Sequence, residues 1–194
     1  MGSDSIEPSV RIPPGERLNV FALVIYVPGA LGQFLDDLRR KLVPGCNPHA
    51  HVSLLPPRPL AVEWPVASNQ VRDILNRSTP FEIELTSVEI FPMTDVIYIE
   101  VGRGATELRR IHQAMNAGSL EFQDPFPYHP HITLAQELSP DKVAATNQLA
   151  HRLWSEYAGP RRFPADQAAF VQNSMGNCWI DLAEFSLGGT PVKS

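Results

Sequence analysis

The sequence predicts an α+β fold. We expect two lobes related by a pseudo-two-fold, each a strand-helix-strand-helix-strand unit, with mainly antiparallel sheets around a central cleft. Three observations predict it. The order of apolar-periodic segments runs through the first half of the chain and begins again near residue 96. The opening strands of the two halves share a signature, LVIYVPG at 23–29 and DVIYIEVG at 95–102. The third element of each half is nearly the same hexapeptide, HAHVSL at 49–54 and HPHITL at 129–134, an echo of the kind a duplicated unit leaves behind.

Each element follows from local pattern. Residues 1–16 are polar and punctuated by proline, so they read as a flexible leader to a single bilobal domain over 17–194, with halves at 17–92 and 93–190. From Arg17 to Tyr26 both alternating faces are apolar, which predicts a central, doubly covered strand ended by Pro28 and Gly29. Leu31, Phe34, Leu35, Leu38 and Leu42 fall at helical spacing and Pro44-Gly45 stops the helix. His49 to Leu55 reads as a strand closed by Pro56-Pro57, and Ser68 as the cap of a helix over 69–77. Phe81 to Phe91 alternates as a strand. In the second half, 96–101 reads as a strand, 105–117 as a helix, 118–127 as a loop forming a lid or rim, and 129–135 as a strand. Ser139-Pro140-Asp141 is a helix start with proline at the first helical position, and the helix runs to about Tyr157. Two further strands, 163–172 and 178–187, meet at a turn near Met175-Gly176-Asn177.

Composition narrows the function. The chain has 194 residues, 43% hydrophobic and 19% charged, which excludes wholesale disorder. With 16 Lys and Arg against 21 Asp and Glu the net charge is −5. A protein that grips long duplex nucleic acid carries a basic face, so that partner is not expected; a small nucleotide or an RNA end is, since one pocket needs only a few donors. The longest apolar stretch, 20–27, is far short of the ~20 residues that cross a bilayer. With no secretory pattern and two isolated cysteines, Cys46 and Cys178, the expected setting is the cytoplasm, without a membrane partner.

The histidine strands carry the chemistry. Four of the six histidines lie in the two hexapeptides, each time as His-x-His-x-hydroxyl-Leu. Residues two apart on a strand share a face. His51 therefore points with Ser53, and His131 with Thr133, while Val52, Leu54, Ile132 and Leu134 point into a core. If the lobes face one another, two imidazoles flank one phosphorus. One would take a proton from the attacking oxygen and the other would give a proton to the leaving oxygen. Histidine, with an unperturbed pKa of ~6.5, serves in either role. The hydroxyls would hold the non-bridging oxygens. Acid and base are then both protein groups, so no metal or cofactor is called for.

These two motifs, H-V-S-L and H-I-T-L some eighty residues apart in a duplicated α+β pattern, resemble the 2H phosphoesterase superfamily, which includes 2′-5′ RNA ligase-like proteins and cyclic phosphodiesterases. The resemblance implies a metal-independent phosphodiesterase acting on a 2′,3′-cyclic phosphate or a 2′-5′ linkage, with 2′-5′ ligation as a reverse reaction. It implies His51 and His131 as the catalytic pair, and Ser53 and Thr133 as phosphate-holding hydroxyls.

Around this core we expect substrate contacts from Arg58, as a cation for a terminal phosphate, from Tyr128 and Phe126, as stacking surfaces, and from His49 and His129, as orienting or rim residues. His112 and His151 lie on helices and read as structural or solvated. Trp64, Trp154 and Trp179 read as packing residues, and Arg161-Arg162 as an exposed corner. A monomer is expected. Two other readings compete. His49, His51, His129 and His131 could be four metal ligands of a hydrolase, or the cleft could bind nucleotides or RNA ends without turnover.

Overall fold

The structure, a computed structural model, describes residues 16–189. The expected leader therefore lies, apart from Glu16, outside the described residues. The elements run β1 (Arg17–Tyr26), α1 (Gly29–Leu42), β2 (His51–Arg58), α2 (Trp64–Asn76), β3 (Phe81–Ile90), β4 (Ile97–Val101), α3 (Ala105–Met115), a 3-10 turn (Gly118–Leu120), β5 (His131–Ala135), α4 (Pro140–Ser155), β6 (Arg162–Ala165), β7 (Gln167–Ser174) and β8 (Trp179–Ser186).

Two four-stranded sheets form, ordered β2-β1-β7-β8 and β5-β4-β3-β6, and every pairing is antiparallel. The fold class is α+β, as expected. β1 and β4 are flanked on both sides, β4 being buried along most of its length and β1 from Phe21 to Ile25, which is why neither shows a polar face there in sequence. Phe21, Leu23 and Ile25 enter one large core, with Leu35 and Leu38 of α1, Leu108 and Ile111 of α3, and Val52, Leu54, Ile132 and Leu134 of the motif strands. The other face of β1 packs a smaller cluster, Ala22, Val24 and Tyr26 against Ala169 and Val171.

The sheets do not follow a division near residue 92. After α2 the chain crosses over, and β3 pairs with β4 in the second sheet. After β6 it crosses back, and β7 pairs with β1 in the first. Each central strand thus takes as a neighbour a strand from the other half. The segment read as one strand over 163–172 breaks at Asp166 for this reason: β6 pairs with β3 and β7 with β1. α1 packs on β5 and α3 on β2, so each half's first helix also braces the other half's motif strand.

Two boundaries differ from expectation. β2 continues through Pro56 and Pro57 to Arg58, which pairs with Phe21. An edge strand tolerates prolines because its outer side needs no amide donors. α2 begins at Trp64, with Pro65 in its first turn and Glu63 at the N-cap. Ser68 lies inside this helix and donates to the Pro65 carbonyl at 2.8 Å rather than capping. At the start of α3, Gly104 has φ +89°, and a Cβ there would sit 2.8 Å from the Glu82 carbonyl oxygen, so only glycine fits.

Candidate active site

β2 and β5 are edge strands of different sheets, and they lie against each other. Their first five residues share one burial pattern: His51 and His131, then Ser53 and Thr133, are half-buried, while the residues between and Leu55 or Ala135 are buried. The structure therefore sets the two motif strands side by side, close enough for the charge of His131 to act on His51. Pairing explains the shared face. Ser53 sits opposite Val24 and His51 opposite Tyr26; Thr133 sits opposite Tyr98 and His131 opposite Glu100. Directly opposed residues lie on one face of a sheet.

Both imidazoles are held the same way. His51 Nδ1 lies 2.7 Å from the His49 carbonyl oxygen, and His131 Nδ1 lies 2.6 Å from that of His129. A carbonyl only accepts, so Nδ1 carries the hydrogen in both rings and Nε2 is the nitrogen left for proton exchange. Burial pushes the His51 pKa down from 6.5 to about 4; the bond to His49 opposes this, while the charges of Arg39, His49 and His131 add to it. Burial also lowers His131, opposed by its bond to His129 and by the Glu100 carboxylate, with the His129 charge adding to the fall. Each ring thus favours its neutral form.

The two outer histidines are fixed by what lies across from the inner ones. His49 stacks on Tyr26 with ring centroids 3.6 Å apart, and the Tyr26 hydroxyl donates to Asp181 at 2.7 Å. Burial and Asp181 hold the Tyr26 phenol above its usual range. His129 Nε2 donates instead to Glu100 Oε2 at 2.6 Å. Phe91 and Tyr98, stacked at 4.0 Å, present edges to His131 at 5.1 and 5.3 Å. Register corrects the sequence echo here. The two VIY tripeptides align by letters, yet in the sheets Val24 matches Tyr98 and Tyr26 matches Glu100. Strand resemblance alone cannot fix register, because every second residue serves equally well.

Other expected contacts resolve differently. Arg58 is not at the rim: it is 2% exposed and held from four directions. Its guanidinium donates to Asn116 Oδ1 at 2.7 Å, to the Leu120 carbonyl at 3.1 Å, to Asp124 at 2.9 Å and to the Pro56 carbonyl at 3.0 Å. The loop over 118–127 is therefore pinned rather than a lid, because one buried cation is bonded by two of its residues, Leu120 and Asp124. Tyr128 stacks flat on His112 at 3.8 Å and donates its hydroxyl to the Ser53 carbonyl at 2.8 Å. One ring face is covered, and the residue braces the loop against β2. Phe126 is exposed. His112 is buried, with Nδ1 2.8 Å from the Leu54 carbonyl oxygen, and His151 is exposed on α4. Trp154 is buried, Trp64 half-buried, and Trp179 is 38% exposed on an edge strand. Arg161 lies over Trp154, 4.4 Å from its centroid, rather than at a solvated corner.

Sequence reasoning missed Tyr26, Glu100, Phe91 and Tyr98, and it missed Asp36, whose Oδ1 accepts the Ala50 amide at 2.7 Å and ties α1 to the lead-in of β2. A set of four imidazole ligands is not formed among the described residues: no group of three or more His, Cys, Asp or Glu side chains is arranged to hold a metal. One nitrogen in each of three of the four rings, His51, His129 and His131, already has a partner of its own.

The fold and the two facing motif strands define a class: a duplicated α+β protein with one H-x-[ST]-h strand from each sheet. Residues 27–177 match the family model of the 2′-5′ RNA ligase superfamily, and the chain belongs to that family. It is 32% identical over 76 residues to a protein of Oceanobacillus iheyensis named "Putative phosphoesterase", a match covering 39% of this chain and 44% of that one. A protein of the same name from Geobacillus kaustophilus is 23% identical over 128 residues, 61% of this chain and 69% of its own. Among solved structures, Escherichia coli LigT in apo form superposes with a TM-score of 0.64 at 15% identity, over 89% of this chain and 99% of LigT. LigT complexed with phosphate gives 0.62 at 14% identity, over the same shares. No helix among the described residues is long and apolar enough to cross a membrane.

Proposed function

We propose that this phosphoesterase-family protein hydrolyses 2′,3′-cyclic phosphates or 2′-5′ linkages on small nucleotides or RNA ends, without a metal ion. Its setting is the cytoplasm and it acts as a monomer. One imidazole takes a proton from water, the resulting hydroxide attacks phosphorus, and the bond from phosphorus to the ribose oxygen breaks. The other imidazole gives a proton to that leaving oxygen. Ser53 and Thr133 donate to the non-bridging oxygens as charge builds on them. With a 5′-hydroxyl in place of water, the same steps open a 2′,3′-cyclic phosphate at its 3′ oxygen and join a 2′-5′ linkage, the reverse of cleaving that linkage. Phe126, exposed beside the second motif, supplies an apolar surface for a base.

One observation carries the reading. Two strands from different sheets present a histidine and a hydroxyl in the same half-buried pattern, each histidine oriented by the carbonyl two residues before it. A structural histidine has no need of a second copy with the same tether. The family match, the LigT fold and the names of the bacterial relatives support a phosphoester substrate. The test is a turnover screen in excess chelator over 2′,3′-cyclic nucleotides, ADP-ribose cyclic phosphate and 2′-5′-linked dinucleotides. We expect product from at least one, and none from His51→Ala or His131→Ala proteins that remain folded. Binding without turnover across the panel would favour a non-catalytic nucleotide binder.

A further inference from the structure

The two motif histidines are alike in sequence and tether, yet their surroundings are not. Across from His51 stands Tyr26, which stacks on His49 and brings no charge. Across from His131 stands Glu100, whose carboxylate holds the ring of His129 at 2.6 Å. The tether of His131 is the His129 backbone carbonyl. Glu100 therefore fixes the residue that orients His131 and also lays a negative charge beside it.

The groups facing each ring deepen the difference. His131 is faced by His129, whose charge opposes its protonated form, and by Glu100, whose charge favours it, with the edges of Phe91 and Tyr98 closing one side. His51 is faced by Arg39 of α1, by His49 and by His131, and by no carboxylate among the groups that act on it. Arg39 has a buried Nε without a hydrogen-bond partner among the described residues, and Cys46 and Asp36 are the groups that act to offset its charge.

We propose that Glu100 is a positioning residue that breaks the symmetry of the site, making His131 the proton donor to the leaving oxygen and His51 the proton acceptor. The inference rests on the phosphodiesterase reading above. A neighbouring carboxylate favours the imidazolium and a neighbouring guanidinium opposes it, so the ring beside Glu100 keeps a proton to higher pH. An acid must be protonated to act, and its loss sets the high-pH limb of kcat/KM; a base sets the low-pH limb.

The experiment uses Glu100→Gln, which keeps the size of the side chain, Glu100→Asp, which keeps the charge, and Glu89→Gln. Glu89 is an exposed carboxylate opposite Tyr98 and controls for general charge loss. Two readouts are taken: the pH profile of kcat/KM on a 2′,3′-cyclic nucleotide, and the NMR titration of each histidine ring without substrate. In Glu100→Gln the His131 midpoint and the high-pH limb should fall by about half a unit or more, with His51 and the low-pH limb unmoved. Glu100→Asp should retain most of the wild-type position, and Glu89→Gln all of it. A His131 midpoint that stays put in Glu100→Gln, a shift of the low-pH limb instead, or an equal shift in Glu89→Gln overturns the proposal. The ring titration needs no turnover. If His51→Ala and His131→Ala both retain full activity, the phosphodiesterase reading fails, and the titration still reports separately on the hold of Glu100.

Discussion

A backbone carbonyl decides which nitrogen of each motif imidazole is left free. Because His51 and His131 both spend Nδ1 on the peptide two residues back, one tautomer of each ring is fixed in advance, which in the proposed mechanism spares the entropy loss of sorting tautomers. In the proposed mechanism the hydroxyls have a different task. Ser53→Ala and Thr133→Ala should each weaken the transition state by on the order of 2–4 kcal/mol, read as a fall in kcat with little change in KM. Equal loss in both parameters for either variant would mean that the hydroxyl holds ground state and transition state alike. Tyr128 acts at one remove. Its hydroxyl bonds the carbonyl of Ser53 itself, so Tyr128→Phe should cost about 1 kcal/mol of stability and leave the shape of the pH profile intact.

At the level of elements, β2 is held by its neighbours more than by its own sequence. Arg58, at its far end, reaches the loop after α3 and pairs with Asp124, the two side chains 1% and 13% exposed. Removing one partner of a buried pair strands the other. Arg58→Ala should therefore lower unfolding free energy by about 3–5 kcal/mol, measured by denaturant titration, and Arg58→Lys should recover little, since four acceptors at separate angles need the planar fork. A surface arginine would show neither effect. The same element shows what could be read in advance. The alternation at 51–55 and 131–135, the helical stripes of α1 and α3, and the identity of the paired histidines and hydroxyls were legible, because each depends on residues close in sequence. Three features were not. The run of β2 through Pro56-Pro57 depends on its being an edge. The start of α2 at Trp64 was hidden by the more familiar signal of Ser68. The roles of Arg58, Tyr26 and Glu100 depend on partners 66, 155 and 29 residues away, respectively, and no local period encodes such a pairing.

For the whole molecule, burial of imidazoles ties stability to pH. His51, His112 and His131 all have folded-state values below the 6.5 of the free side chain, burial being the largest cause in each. Between the two values the unfolded chain binds more protons than the native one, so acid favours unfolding. Stability should be full above about pH 6.5 and decline as pH falls from there toward about 4, the folded-state value of His51. Melting curves across that window check it. His112→Gln should flatten the slope in part, and a melting temperature independent of pH between 6.5 and 4.5 would contradict the account.

The crossing of β3 and β7 into opposite sheets has a consequence for how this polypeptide can be divided. Cut in the turn after β3, the amino-terminal piece would keep β1 and β2 but lose β7 and β8, and would carry β3 without the neighbours that complete it. The carboxy-terminal piece would be orphaned in the complementary way. Neither fragment could mature alone. Co-expressed, the two should clasp like interlocked hands and regain the interleaved architecture, as a split reporter does.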